Sequence, residues 1–213
     1  LSVDGLVKRF AGVEAIAGLD FVVRRGECFG LLGPNGAGKT TTIRAIMDII
    51  RPDEGTIRVQ GREPREAREM TGYMPEERGL YRDLRVLEVL VYLARLKGTP
   101  TEVARQRARQ WLERVELADR ADSRVRDLSR GMQQKLQFAS TLVHDPSLLI
   151  FDEPFQGLDP VNAGLLMSLI RELAAAGKAV ALSAHEMSLV EALCDRILLI
   201  NHGQAVLYGP LAD

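Results

Sequence analysis

Cys28-Phe29-Gly30-Leu31-Leu32-Gly33-Pro34-Asn35-Gly36-Ala37-Gly38-Lys39-Thr40 begins as an apolar run and ends as a complete G-x-x-x-x-G-K-T loop. Glycines in such a loop let successive backbone N–H groups converge on phosphate oxygens. The lysine adds positive charge at the β and γ phosphates, and the last hydroxyl can ligate magnesium. The apolar run reads as a strand, and Thr41, Thr42 and Ile43 read as the start of a helix whose dipole and unpaired N–H groups favour the same anion. Strand before and helix after is the context that separates a phosphate site from a chance match. Gly33, Pro34, Asn35, Gly36, Ala37, Gly38, Lys39, Thr40 and Thr41 are therefore the candidate contacts for a nucleoside triphosphate, with Thr40 the candidate magnesium ligand.

Composition narrows what surrounds this loop. A chain of 213 residues suits one α/β domain, able to bury roughly 70–75% of its unfolded surface. A formal charge of −1 and a pI near 6.4 leave no strongly basic footprint, so no nucleic-acid partner is expected. The stretch 102–130 holds eight arginines, but six acidic residues are interleaved with them and it reads as a solvated helix face. Cys28 and Cys194 do not make a disulfide framework, which points to a reducing cytosol. No apolar run approaches the roughly 20 residues a membrane span needs, and no signal peptide opens the chain.

Along the chain, strands are expected at about 2–9, 19–24, 27–32 and 55–60, with a helix near 39–50, forming a mixed sheet beside the nucleotide base. From about 84 to 143 the periodicity turns helical, with Leu84, Leu87, Leu90, Val91 and Leu93 grouped at three- and four-residue spacings. Lys97-Gly98-Thr99-Pro100-Thr101 is read as stopping one helix and capping the next. Strands at 147–152 and 179–183 flank a further helix, a strand–helix–strand alternation that indicates a buried parallel sheet. With no repeat and no low-complexity linker, residues 1–213 are expected to form one domain. Its core would be 1–83 and 144–213, and 84–143 would be a helical insertion.

Asp152-Glu153-Pro154 stands at the end of the apolar run 147–152. Asp152 can hold magnesium through water, while Glu153 is placed to activate the water that attacks a γ-phosphate. Acids also favour strand ends and helix starts for structural reasons, a reading that weakens beside a phosphate loop. Between the two sites lies Leu128-Ser129-Arg130-Gly131-Met132-Gln133-Gln134, where Ser129 is a natural helix cap and the helix start it caps can face a phosphate.

Loop, Leu-Ser-x-Gly segment, Asp-Glu at a strand end, Gly157-Leu158-Asp159 and His185 occur in this order over essentially the whole chain, which resembles an ABC-type ATPase. The resemblance implies an α/β P-loop NTPase fold with a mixed or parallel core sheet, an N-terminal antiparallel β subdomain and an inserted α-helical subdomain. It also implies a head-to-tail dimer, of identical or closely related ATP-binding subunits, in which each ATP and its Mg2+ lie between one chain's loop and the other chain's Ser129 and Gly131. Asp159 would then lie near the dimer seam, His185 would sense the γ-phosphate and Phe10 would stack on adenine. By residue type alone, a strand-end His185 is more often a structural histidine, and Phe10 is equally a core aromatic.

Two departures from the family pattern stand out. Arg130 and Met132 replace the third and fifth residues of the usual Leu-Ser-Gly-Gly-Gln, and Arg130 either strengthens phosphate binding across the dimer or points into solvent. Glu76, in Tyr73-Met74-Pro75-Glu76-Glu77-Arg78-Gly79-Leu80-Tyr81, stands where the family has a magnesium-contacting Gln. It is either a metal ligand or a surface acid paired with a nearby Arg. These two segments resemble the ATP-binding subunits of bacterial sodium- or drug-efflux transporters. A separate membrane-spanning permease subunit, contacted by the helical insertion and residues 77–83, is the implied partner, and the cytoplasmic inner face of the membrane the implied location. The absent initiator Met and the end at Leu211-Ala212-Asp213 suggest a trimmed form of a longer protein. A soluble ATPase for DNA repair or translation and a low-turnover regulatory module are the rival readings. The first is disfavoured by the short span between loop and Ser129, which leaves no room for a long coiled-coil arm.

Overall fold

The computed structural model describes residues 1–77 and 79–211; Arg78, Ala212 and Asp213, named above, lie outside the described residues. Along the chain run β1 (Ser2–Phe10), β2 (Val13–Val22), β3 (Cys28–Leu32), α1 (Lys39–Ile46), β4 (Glu54–Arg58), β5 (Thr71–Met74), α2 (Val86–Leu96) and α3 (Thr101–Arg114). They are followed by α4 (Arg130–Leu142), β6 (Leu148–Asp152), α5 (Pro160–Ala175), β7 (Ala179–Ala184), α6 (Met187–Leu193), β8 (Arg196–Asn201) and β9 (Gln204–Pro210).

β5, β6, β7, β3 and β8 pair in that order and all parallel, and β9 closes one edge antiparallel to β8. Strand side chains alternate between the two faces, so each strand feeds two cores. Phe29, Leu31, Leu148, Ile150 and Ala181 meet Ile43 and Ile46 of α1 and Leu6, Ile16 and Leu19 of the first two strands. Cys28, Leu32, Leu149, Phe151 and Leu182 meet Leu136 and Phe138 of α4, Ile170 of α5 and Val190 of α6 on the opposite face. Burial on both faces explains why β3 and β6 read as unbroken apolar runs. Because the strands of the inner sheet are parallel, the turns after β3, β6 and β7 all emerge at one edge, where open α/β sheets bind ligands.

β1, β2 and β4 form a separate antiparallel sheet in the order β2-β1-β4, so the first strands do not join β3 in one mixed sheet as expected. The turn between β1 and β2 is too short for a parallel crossover and makes a hairpin, while β4 joins the other side of β1 after β3 and α1. β2 begins at Val13 rather than 19, after a turn in which Ala11 and Gly12 have φ of 46° and 83°.

Other boundaries also move. Helix α1 stops at Ile46 rather than 50, because Asp48 adopts φ 55° and the Ile49 N–H turns back to the Arg44 carbonyl at 2.9 Å. Leu84 precedes α2 and is exposed; the buried stripe of that helix is Val86, Val89, Leu90 and Ala94. The start is set by Glu88, whose carboxylate accepts from the Arg85 N–H at 3.2 Å. The 97–101 segment divides two helices, with α2 ending at Leu96 and Pro100 holding the capping position of α3 without a side-chain bond. By contrast, the Ser129 hydroxyl accepts from the Met132 N–H at 3.3 Å and caps α4 as its sequence suggests. No helix among the described residues is long and apolar enough to cross a membrane.

Candidate functional site

The loop from Gly33 to Thr40 curls around the Lys39 side chain, only 6% exposed. Its ammonium donates to the Gly33 carbonyl at 2.7 Å and the Pro34 carbonyl at 3.3 Å. Gly38, just before α1, has φ 111°, and a Cβ there would stand 2.8 Å from the Ala15 carbonyl oxygen. Only glycine lets the helix start this close to β2. The result is a cavity of about 290 Å³ lined by Asn35, Gly36, Ala37, Gly38, Lys39, Thr40 and Thr41 together with Ala15, Glu76 and Glu153.

The end of β6 supplies the carboxylates. Asp152 is 1% exposed; its Oδ1 accepts from the Ser183 hydroxyl of β7 at 2.6 Å, while its Oδ2 is buried with no hydrogen-bond partner. Burial pushes the Asp152 carboxyl above its ordinary pKa, opposed by the Ser183 and Thr40 hydroxyls. Glu153 follows in the left-handed region, with φ 50°, a conformation that costs a non-glycine residue about 1–3 kcal/mol. Its N–H is tied to the Ser183 oxygen at 2.9 Å. Its carboxylate lies 3.8 Å from the Lys39 ammonium and 3.0 Å from His185 Nδ1. Burial again raises the pKa of this acid, with the His185 contact acting against it.

His185 is thus held at the carboxylate of Glu153 rather than satisfied within the core. Phe10 is 48% exposed, which removes the core reading, and the Lys8 ammonium sits 5.3 Å from its ring centroid. Glu76 lines the loop cavity and makes no ion pair with a described residue. Its segment is pinned by Gln137 of α4, whose amide donates to the Pro75 carbonyl at 2.7 Å and the Glu77 carbonyl at 3.1 Å. Oxygens gathered this way suit Mg2+, which takes one or two carboxylates and otherwise relies on phosphates and water. No cluster of three or more His, Cys, Asp or Glu among the described residues would cage a metal by itself, and the unpartnered Asp152 Oδ2 fits a hydrated ion.

Ser129 and Gly131 do not line this cavity. Ser129 is exposed, and a Cβ at Gly131 would meet Leu158 Cδ2 at 3.8 Å, so the segment packs beside the start of α5. There Asp159 caps α5, accepting from the Val161 and Asn162 N–H groups at 3.0 Å each. The Asn162 backbone bond leads the interactions that hold the Asp159 carboxyl below its ordinary pKa. Arg130 is exposed and lines a separate cavity with Leu80, Arg82, Val125 and Gln133.

Three contributors were not singled out in the sequence. Ser183 ties the Asp152 carboxylate to the Glu153 backbone N–H and was visible only as a hydroxyl closing an apolar run. Gln137 positions the Glu76 segment from a helix read simply as apolar. Ala15 forms part of the cavity wall and carries no chemical signal at all. Cys28 and Cys194 are free thiols in the core with Sγ atoms 3.9 Å apart.

The family described as ABC transporter matches residues 16–156. An uncharacterized ABC transporter ATP-binding protein of Methanocaldococcus jannaschii is 42% identical over 213 residues, covering 100% of this chain and 78% of its own length. The Nod factor export ATP-binding protein I of Ralstonia nicotianae is 42% identical over 98% of this chain and 66% of its own length. A solved structure described as an ATP-binding subunit of an ABC transporter superposes with a TM-score of 0.92 at 32% identity, covering 99% of this chain and 89% of that one.

Proposed function

The chain belongs to the ABC transporter family, and from that premise we propose that it is one half of a head-to-tail pair sharing two ATP sites. It is an ATP-binding, ATP-hydrolysing transporter subunit. One observation carries the shared-site reading. The loop cavity gathers Lys39, Thr40, Glu76 and Glu153 but not Ser129, so the capped start of α4 is left exposed and able to face another molecule's phosphate.

Within the site, the loop N–H groups and the Lys39 ammonium hold the phosphates, and Phe10 offers adenine a ring face. Glu153 takes the proton of a water attacking the γ-phosphate in line, and burial raises its basicity for that task. His185, already beside Glu153, is placed to touch the γ-phosphate. Thr40, Asp152 and Glu76 would hold Mg2+, which when bound neutralises phosphate charge. Ser129 and Gly131 of the second subunit complete the donor set around the transferred group. Asp159, beside them, falls at the seam.

The organisation behind this chemistry is a nucleotide-binding core, 1–83 and 144–213, with a helical insertion at 84–143. The insertion and residues 77–83 contact a separate permease; Tyr81, half exposed, stands edge-on to the exposed Tyr92 of α2 at 5.4 Å, an apolar pair suited to that contact. The export function named for the Ralstonia relative favours efflux as the direction of transport. The subunit then sits peripherally at the inner face of the membrane.

Complementation tests the shared site. Lys39→Ala and Ser129→Arg variants should each be nearly inactive, and mixing them should restore ATP hydrolysis, since one site of the mixed pair carries both lesions and the other carries none. A mixture no more active than its components would refute the shared site.

A further inference from the structure

The β8–β9 hairpin turns through His202 and Gly203, whose φ values of 46° and 75° define a two-residue turn that only glycine fits comfortably at its second position. This turn reaches across to two other elements. The Gly203 N–H donates to the Ala37 carbonyl of the phosphate loop at 2.9 Å, and the Gly203 carbonyl accepts from the Ala17 N–H of β2 at 2.9 Å. The strand it grips is irregular at this point. β2 pairs Ile16 with Lys8 and Glu14 with Arg9, and the register slips between them, leaving Ala15 as a bulge. The Ala15 carbonyl oxygen lies where both glycines need space, 2.8 Å from a Cβ built on Gly38 and 2.7 Å from one built on Gly203.

We propose that Gly203 is a positioning residue that sets the distance between the phosphate loop and the base-binding end of the β1–β2 hairpin, and so the span the site offers to a nucleotide. The proposal rests on the reading of Phe10, at that hairpin's end, as the adenine contact. Gly203 touches no nucleotide itself. It acts through one hydrogen bond to each half of the site, and the atoms closest to a Cβ added at Gly203 are the Ala15 O, Ala15 C and Ile16 Cα, at 2.7, 2.9 and 3.1 Å. All three belong to β2, so a methyl group there displaces the base side and leaves the loop in place.

That asymmetry gives the test. ADP engages both halves of the site, whereas inorganic pyrophosphate engages the loop alone. Calorimetric titration of Gly203→Ala should show ADP affinity about tenfold weaker with pyrophosphate affinity unchanged. Equal losses for both ligands, or no loss for ADP, would overturn the proposal. A wild-type protein that binds pyrophosphate but discriminates not at all between ADP and pyrophosphate would instead overturn the adenine reading. Should Gly203→Ala fail to fold, amide hydrogen exchange on the wild type decides the matter. Pyrophosphate alone should slow exchange at Gly203 and also at Ala17 across the junction, and protection restricted to residues 33–41 would refute the link.

Discussion

The phosphate loop and the Ser129 segment are both helix starts that can face an anion, yet they are built in opposite ways. At the loop, the cation is buried, its hydrogen bonds are made internally, and two carboxylates of raised pKa stand beside it. At Ser129 the cap is exposed and the neighbouring Asp159 has a lowered pKa, set by N–H groups of its own helix. The first half stores unfavourable desolvation that a ligand can relieve; the second is already satisfied and offers surface. In the proposed pair, chemistry would therefore be concentrated on one side of the shared site and recognition on the other.

The sharpest way to break this contrast is at the base. Glu153→Gln should lower ATP turnover by about 10²–10⁴, while ATP binding, followed by titration, stays near wild type. Turnover that survives would move the base elsewhere. Lys39→Ala should cost about 10- to 100-fold in ATP affinity, the worth of a charge-assisted hydrogen bond; wild-type affinity in a direct titration would mean that the buried ammonium does not serve the phosphates.

Smaller, but more specific to the contrast, is the pH dependence of the nucleotide- and magnesium-free protein. Glu153 has a folded pKa above its unfolded value, so its contribution is present below about pH 4.5 and lost as pH rises through the folded pKa. Glu153→Gln should therefore match wild type in acid and melt higher toward neutrality, by about 2–4 °C for each kcal/mol recovered. Asp159 runs the other way: its contribution is present above the unfolded value of 3.8 and lost as pH falls through the lowered folded pKa. Asp159→Ala should melt lower than wild type at neutral pH, with the gap closing in acid. Thermal melts of both variants across pH would sink the contrast if the two differences moved in the same direction.

How much of this could be read from the chain depended on whether the signal was contiguous. The loop, Asp152-Glu153 and the Ser129 cap are short local patterns whose chemistry survives without knowledge of the fold. Ala15 matters only because a bulge turns its carbonyl toward two glycines, one of them Gly203, far along the chain. Cys28 and Cys194, 166 positions apart, meet in the core with nothing in their spacing to announce it. Strand β5 is four residues long and contains a glycine, too little to show periodicity. The apolar Leu84 extended the apparent pattern of α2 beyond the start that the Glu88–Arg85 bond imposes.

The backbone of Glu153 also bears on how such a site persists over generations. Glycine and asparagine are the residues most at ease at a φ of 50°, and neither can accept the proton of an attacking water. Drift toward greater stability would thus tend to replace the side chain proposed as the base. If Glu153 is the base, the strain of its backbone is a stability cost borne for hydrolysis.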